Sequence, residues 1–407
     1  MRHVSLRSAA AAAALLLFPA LALASNARMT GLNVPSDYVK EDWTGMFTYL
    51  SEVNTNGNLA YVEAGSAAYR FGDHAVGAVL PGLFDGRFGV WSVNLRQARP
   101  AMGQGGVLDH INSGWGGYDD NYTGEAFDLI WGRKLGSGQL GLRINRAYES
   151  VDDGTTTVEG NGTNQRNVLG FGAGYGWDMN SNLHVQLSGQ LERRSFDDGG
   201  ATGDHTDGTT GMLLAGRAFQ KASGNLTVIP AVKFYSLDLS YTDGETSTDV
   251  TEKWSGLQAG VAGNWTVGSG DLLVFGAQFA RNHVELDEGD YETEMITPNV
   301  FLALETHLNP WLTFRAGAQN AMFYQWSNSF SNVERVYKQH DFSFNFGTSV
   351  KLGNLTFDAT LDPAFLQNPF AQLMGGTNAY FVGAPSRVDA PSYGGVVFPQ
   401  VSASYRW

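Results

Sequence analysis

The chain has 407 residues, no cysteine and a net charge of −14. The missing cysteines exclude disulfides and thiolate–metal sites, and the acidic balance argues against nucleic acid, which calls for a basic surface. Charged residues make up 16% and aromatics 12%, with 51 glycines, which departs from the roughly 25% charge of ordinary soluble domains.

Residues 1–24 read as a secretory signal peptide. Arg2, His3 and Arg7 form a basic head, residues 9–18 are apolar, and Ala22, Leu23 and Ala24 precede Ser25 as an A-x-A cleavage site. The apolar run is too short for a membrane anchor, so export with cleavage after Ala24 is expected. Residues 25–66 form an N-terminal segment. It is expected to supply a first strand, at 43–53 or 57–65, or a periplasmic or lumenal plug, or both.

From residue 67 to 407 one pattern repeats. An alternating segment, a very short turn, another alternating segment and a longer polar loop follow each other. The short turns fall at 81–86, 136–138, 180–182, 223–225, 268–270, 308–310 and 352–354, and Gly, Asn and Ser supply their backbone freedom. The longer loops fall at 98–123, 150–164, 196–210, 241–250, 287–293, 327–340 and 362–395. In 169–177, Leu169, Phe171, Ala173, Tyr175 and Trp177 alternate with Gly170, Gly172, Gly174 and Gly176. In 183–191, Leu183, Val185, Leu187 and Leu191 oppose His184, Gln186, Ser188 and Gln190. Side chains alternate with a period of two in a strand. Segments of ten or more residues match a tilted bilayer crossing rather than the shorter strands of a soluble sandwich.

Fifteen strands follow from this pattern, between 67–80 and 396–407. A single-chain barrel with both ends in the periplasm has an even number, so one more strand must precede residue 67. The expected fold is all-β, a transmembrane up-and-down antiparallel barrel of 16 strands, with 14 as the alternative. Segment 225–241 switches apolar parity near Phe234 and Tyr235, which suggests a bulge. Short turns face the periplasm and long loops the outside. Trp131, Trp177, Trp265 and Trp311 lie near short turns, and Trp407 ends the chain, which makes these five the candidate membrane-interface aromatics.

The last strand places Val401, Ala403, Tyr405 and Trp407 on one face and Ser402, Ser404 and Arg406 on the other. This strand, the signal peptide and the alternating segments resemble those of Gram-negative outer-membrane β-barrel proteins, porin-like channels in particular. The resemblance implies the bacterial outer membrane as location, contact with its lipid and lipopolysaccharide, and insertion by the barrel assembly machinery through the C-terminal strand. Homo-oligomers are compatible with it. The N-terminal stretch is similar to the plug region of long-chain fatty-acid transporters, without their Asn-Pro-Ala motif.

Inward parity nominates the lumen. Arg96, Asp128, Arg143, Glu192, Arg315, Asp341, Lys351 and Asp358 are the candidate pore-lining residues. Both signs are present, so a water-filled channel for passive diffusion of small hydrophilic solutes, weakly selective, is expected. The alternatives are a transporter of hydrophobic compounds and a closed structural or adhesive barrel. The bland reading of each charge is a cross-barrel salt bridge in a closed lumen. Acidic pairs such as Asp119-Asp120 and Asp197-Asp198 read as solvated loop charge without calcium-loop spacing. The apolar, proline-bearing stretch 362–395 is expected to fold over the mouth. No G-x-S-x-G or H-E-x-x-H is present; no enzyme activity, cofactor or metal is expected.

Overall fold

Alternating segments of the sequence close into a cylinder. A computed structural model describes residues 25–40, 42–65, 74–96, 126–152, 163–197, 205–243, 248–268, 270–286, 291–330, 333–361 and 398–407. Residues 1–24, expected to be a signal peptide, and the loops expected at 98–123 and 362–395 lie outside them. The strands are β1 (Leu59–Gly65), β2 (His74–Leu80), β3 (Val90–Arg96), β4 (Ala126–Leu135), β5 (Gly138–Asp152), β6 (Thr163–Asn180), β7 (Leu183–Asp197) and β8 (His205–Lys221). They continue with β9 (Leu226–Asp243), β10 (Thr248–Val267), β11 (Asp271–Leu286), β12 (Tyr291–Asn309), β13 (Leu312–Phe330), β14 (Val333–Leu352), β15 (Leu355–Leu361) and β16 (Gln400–Arg406). Each strand pairs antiparallel with its sequence neighbours, and β1 pairs with β16 to close a 16-strand barrel. The strand at Leu59–Gly65 completes the even count. Segment 43–53 instead forms 3-10 turns, and the 14-strand alternative falls.

The exterior is apolar. Leu142 and Ile144 on β5, Phe171 on β6, Leu187 and Leu191 on β7, and Leu302 and Leu304 on β12 all stand exposed. Their neighbours in the alternation face inward and are buried. Closure gives the sheet no free edge strand, as a bilayer demands of a spanning sheet. Among the described residues no helix is long and apolar enough to cross a membrane.

Two expectations need correction. Several hairpins run further than the apolar alternation indicates: β9 reaches Asp243 and β10 begins at Thr248, while β13 reaches Phe330 and β14 begins at Val333. The ladder continues there through stretches whose sequence is mostly polar, so the period-two signal fades while the backbone bonds persist. The bulge expected at Phe234 and Tyr235 is absent, because β9 and β10 stay in one register through both residues. Parity blurs because the inner face is apolar here as well, with Ile229, Ala231 and Tyr235 buried inside.

The inside is filled by the N-terminal segment. Helix α1 (Asn26–Leu32) starts at Ser25, whose hydroxyl accepts the Arg28 backbone N–H at 3.0 Å. It stops at Asn33, which sits in the left-handed region at φ 50°. Three 3-10 turns follow at Ser36–Tyr38, Trp43–Phe47 and Leu50–Asn54. Met29, Leu32, Val34, Tyr38 and Val39 pack against Ala231, Ala262, Val274, Phe301 and Ala303 of β9–β12. Trp43, Met46, Phe47 and Val53 pack against Leu59, Tyr61, Ala75, Val79 and Ile130. Each large apolar side chain buried this way contributes roughly 1.5–3 kcal/mol. The wall leaves room by using glycine: a Cβ on Gly141 would run into the Leu50 carbonyl, and one on Gly317 into the Leu32 carbonyl.

Candidate functional site in the barrel lumen

Inward parity on β3, β4 and β5 brings Arg96, Asp128 and Arg143 together. Asp128 accepts from Arg96 Nε at 2.6 Å with one oxygen, and from Arg143 Nε and Nη2 at 2.8 and 2.6 Å with the other. All three side chains are fully enclosed. Arg143 also donates to the Phe47 carbonyl at 2.9 Å and to Gln190 at 2.8 Å, and Gln190 donates to the same carbonyl at 2.8 Å. The Phe47 ring lies beneath both guanidiniums, 6.0 Å from Arg96 and 5.5 Å from Arg143. Glu192, on β7, accepts from Asn145 at 3.1 Å.

A second cluster centres on β12, β13 and β15. Arg28 of α1 grips Glu305 with two parallel bonds, 2.7 and 2.9 Å long. Arg315 donates Nε to the same carboxylate and Nη1 to Asp358 at 2.8 Å. Ser25 donates its hydroxyl to Asp358 at 3.1 Å. Asn26 gives Glu63 of β1 its backbone N–H at 2.8 Å and its side-chain amide at 2.6 Å. A third set ties the 3-10 turns to β8 and β9. Arg217 pairs with Glu52 and lies 3.9 Å over the Tyr49 ring, and Lys233 meets Asp37 at 2.7 Å. Burial pushes the Asp42 carboxyl up to about 6, against the pull of the Thr44 hydroxyl and of Arg28.

Arg96, Asp128, Arg143, Glu192, Arg315 and Asp358 therefore face inward, where the alternation places them, and are buried. Their charges meet one another and the N-terminal segment. Lys351 is half-buried near the short-turn end of β14, and the Asp341 side chain lies outside the described residues. Trp265, Trp311 and Trp407 are exposed on the outside. Trp131 donates its indole N–H to the Phe88 carbonyl, and Trp177 stacks on Tyr175 with centroids 5.7 Å apart.

Arg28, Glu52, Glu63, Arg217 and Glu305 belong to these clusters without having been singled out as sites by the sequence. One signal was readable. Glu63 sits alone in an otherwise apolar strand and Arg217 alone in the apolar run 212–219, where an unpaired charge is expensive. A second was the inner glycines of β6, with Gly172 and Gly174 against Leu50 and Gly176 against Ser51. A wall that gives up side chains on its inner face has something lying on it.

Two cavities flank the segment. One of about 330 Å³ lies toward the long-loop end, lined by Asn26, Thr30, Asn33, Thr44, Gln319 and Asn345 among others. The other, about 560 Å³, lies at the short-turn end and is lined by Lys40, Asp42, Glu52, His184, Lys221 and Arg406 among others.

No protein-family model matches the chain, and no curated protein matches it. Among solved structures it is similar to BauA, the ferric preacinetobactin receptor from Acinetobacter baumannii, with 12% identity and a TM-score of 0.43, covering 75% of this chain and 55% of that one. It is also similar to the copper transporter OprC, with 12% identity and a TM-score of 0.44, covering 75% and 44%. The ferric yersiniabactin uptake receptor FyuA from Yersinia pestis gives 11% identity and a TM-score of 0.40, covering 75% and 54%. The chain spans about half the length of these structures.

Proposed function

We propose that this protein is an outer-membrane channel for small hydrophilic solutes in which residues 25–56 form the constriction. The observation that carries this reading is the inner face. Outside the apolar patch of β9–β12 it is largely polar and charged, yet the path along the axis is divided by a segment of the chain itself. A barrel built only as a scaffold gains nothing from polar cavities on both sides of that segment. The cavity toward the long loops is lined mainly by amides and hydroxyls, which suits neutral or weakly charged hydrophilic solutes. Transit then requires the segment to shift, so conduction is gated rather than open. In the same reading Trp131, Trp177, Trp265, Trp311 and Trp407 anchor the barrel at the membrane interface. The C-terminal strand presents it to the assembly machinery.

Planar-bilayer conductance tests the reading. The intact barrel should give small or infrequent ohmic steps, and a chain lacking residues 25–56 should give large, steady ones. Charges stranded by that deletion would face a water-filled lumen and stay solvated. Silence from both proteins would sink the channel reading in favour of a closed structural barrel. Uptake of labelled fatty acid by a barrel that conducts nothing would favour the hydrophobic-compound transporter.

A further inference from the structure

Among the described residues, the cluster around Ser25 is short of positive charge. It sets Arg28 and Arg315 against Glu305, Asp358, Glu63 and Asp42. Both arginines bind Glu305, and Arg315 also reaches Asp358. Among the described residues Glu63 receives two donors, both from Asn26, and Asp42 receives the N–H and hydroxyl of Thr44. Glu63 also feels the charges of Asp42 and Asp358. Ionised carboxylates held this far from water need a cation or a proton.

A separate observation points to where that cation belongs. Ser402 on β16 stands opposite Glu63 on one side and opposite Asp358 on the other. Its side chain faces inward, is 5% exposed, and its hydroxyl has no hydrogen-bond partner. A hydroxyl so placed can accept from a cation lying between the two carboxylates. Among the described residues no group of three or more His, Asp or Glu side chains is arranged to hold a metal ion. Ser25 lies beside both carboxylates, and its backbone nitrogen gains a charge if the Ala24–Ser25 bond is cut. Its own hydroxyl already reaches Asp358, and the next residue's N–H already reaches Glu63.

We infer that removal of the leader creates the missing cation: the α-ammonium of Ser25 settles between Glu63 and Asp358, with Ser402 as a third acceptor, and locks the N-terminal segment into the barrel. Water adds across the Ala24–Ser25 peptide bond. The leader departs with the new carboxylate, and the Ser25 nitrogen takes up protons as an ammonium. Before cleavage that nitrogen is a neutral amide with one donor; afterwards it has three donors and a charge. Docking of the segment is thereby coupled to processing. The inference rests on cleavage after Ala24 and not on what passes through the barrel.

The test uses mature protein extracted from outer membranes. Intact mass should place the terminus at Ser25. Pulses of an acylating reagent across a pH series, read by mass at the N-terminal peptide, then titrate the α-amine. Its midpoint should lie at least one pH unit above the ordinary value of roughly 8, and Glu63→Gln should move it back down. At pH 8 the folded chain should label at least tenfold more slowly than the same chain in denaturant. A terminus other than Ser25, a midpoint at the ordinary value, or a midpoint indifferent to both Glu63→Gln and Asp358→Asn would overturn the inference. Inserting one glycine between Ala24 and Ser25 displaces the charge without touching the wall. It should raise amide exchange in α1 about tenfold, and unchanged exchange would likewise count against the lock. None of these outcomes bears on the conductance result.

Discussion

Among the described residues, two of the three ion clusters in the lumen are built in different ways. Around Asp128, one carboxylate is shared by two arginines, and all three groups come from neighbouring strands β3, β4 and β5. The N-terminal segment adds the Phe47 carbonyl and ring. Around Glu305, the segment itself supplies a charge through Arg28, and the partners are drawn from β1, β12, β13 and β15. The first cluster is a property of the wall and follows from register alone. The second exists only while the segment is inside. Damage to the first should therefore register as barrel stability, and damage to the second as segment docking.

The sharpest break is Asp128→Ala. It leaves Arg96 and Arg143 buried side by side, and denaturant unfolding in detergent should lose about 3–5 kcal/mol. A loss no greater than that of a surface pair, about 1 kcal/mol or less, would mean that the cluster is wet. Arg28→Ala should cost less, about 1–3 kcal/mol, because Glu305 keeps Arg315. Its signature is hydrogen exchange and protease cleavage within residues 25–56 while the barrel keeps its heat resistance. If segment and barrel melt together in this variant, the contrast between the clusters is wrong.

Gly317→Val probes the same docking without touching charge. The added side chain meets the Leu32 carbonyl, so overpacking of about 1–3 kcal/mol is expected. Exchange should rise in α1 and not at Leu50–Asn54, and Gly141→Val should do the reverse. A smaller effect concerns pH. The folded state holds the Asp42 proton up to about 6, against an ordinary value of 3.8. Between those two values the folded chain binds more protons than the unfolded one. Docking is strongest below the window and weakens as pH rises through it. Asp42→Asn should flatten that slope, measured as segment exchange between pH 4 and pH 7. The mildest change is loss of Trp407, which stacks on Tyr405 with centroids 6.0 Å apart and whose carbonyl accepts from Asn58 at 3.0 Å. Surface levels of the truncated protein should fall while the inserted fraction stays folded, and normal levels would argue against an anchoring role.

Strands were legible wherever one face meets lipid and the other does not. Phe171, Leu187 and Leu302 announce their strands because outward positions can only be apolar. Legibility failed in two places. Above the apolar band, the sequences of the β9–β10 and β13–β14 hairpins lose strict alternation, so they read as loop where the ladder continues. Inside the barrel, Ile229, Ala231 and Tyr235 make β9 look irregular because all three are buried on the inner face, Ala231 against a segment that alternation cannot see. The segment itself has no period to read. Its helix has seven residues and the rest is 3-10 turns. Its shape is set by the wall around it rather than by local propensity.

The sequence by itself determined the compartment-type pattern: an even cylinder of alternating strands, its outward face, and the phase of short and long connections. These depend on neighbours two residues apart, and a period of two is written locally. Whether the lumen is open was decided only by the tertiary structure. Arg28 meets Glu305 across 277 positions, and Ser25 meets Asp358 across 333. A polar inner face reads the same whether it borders water or a buried ion pair, so only closure of the barrel around residues 25–56 tells the two apart.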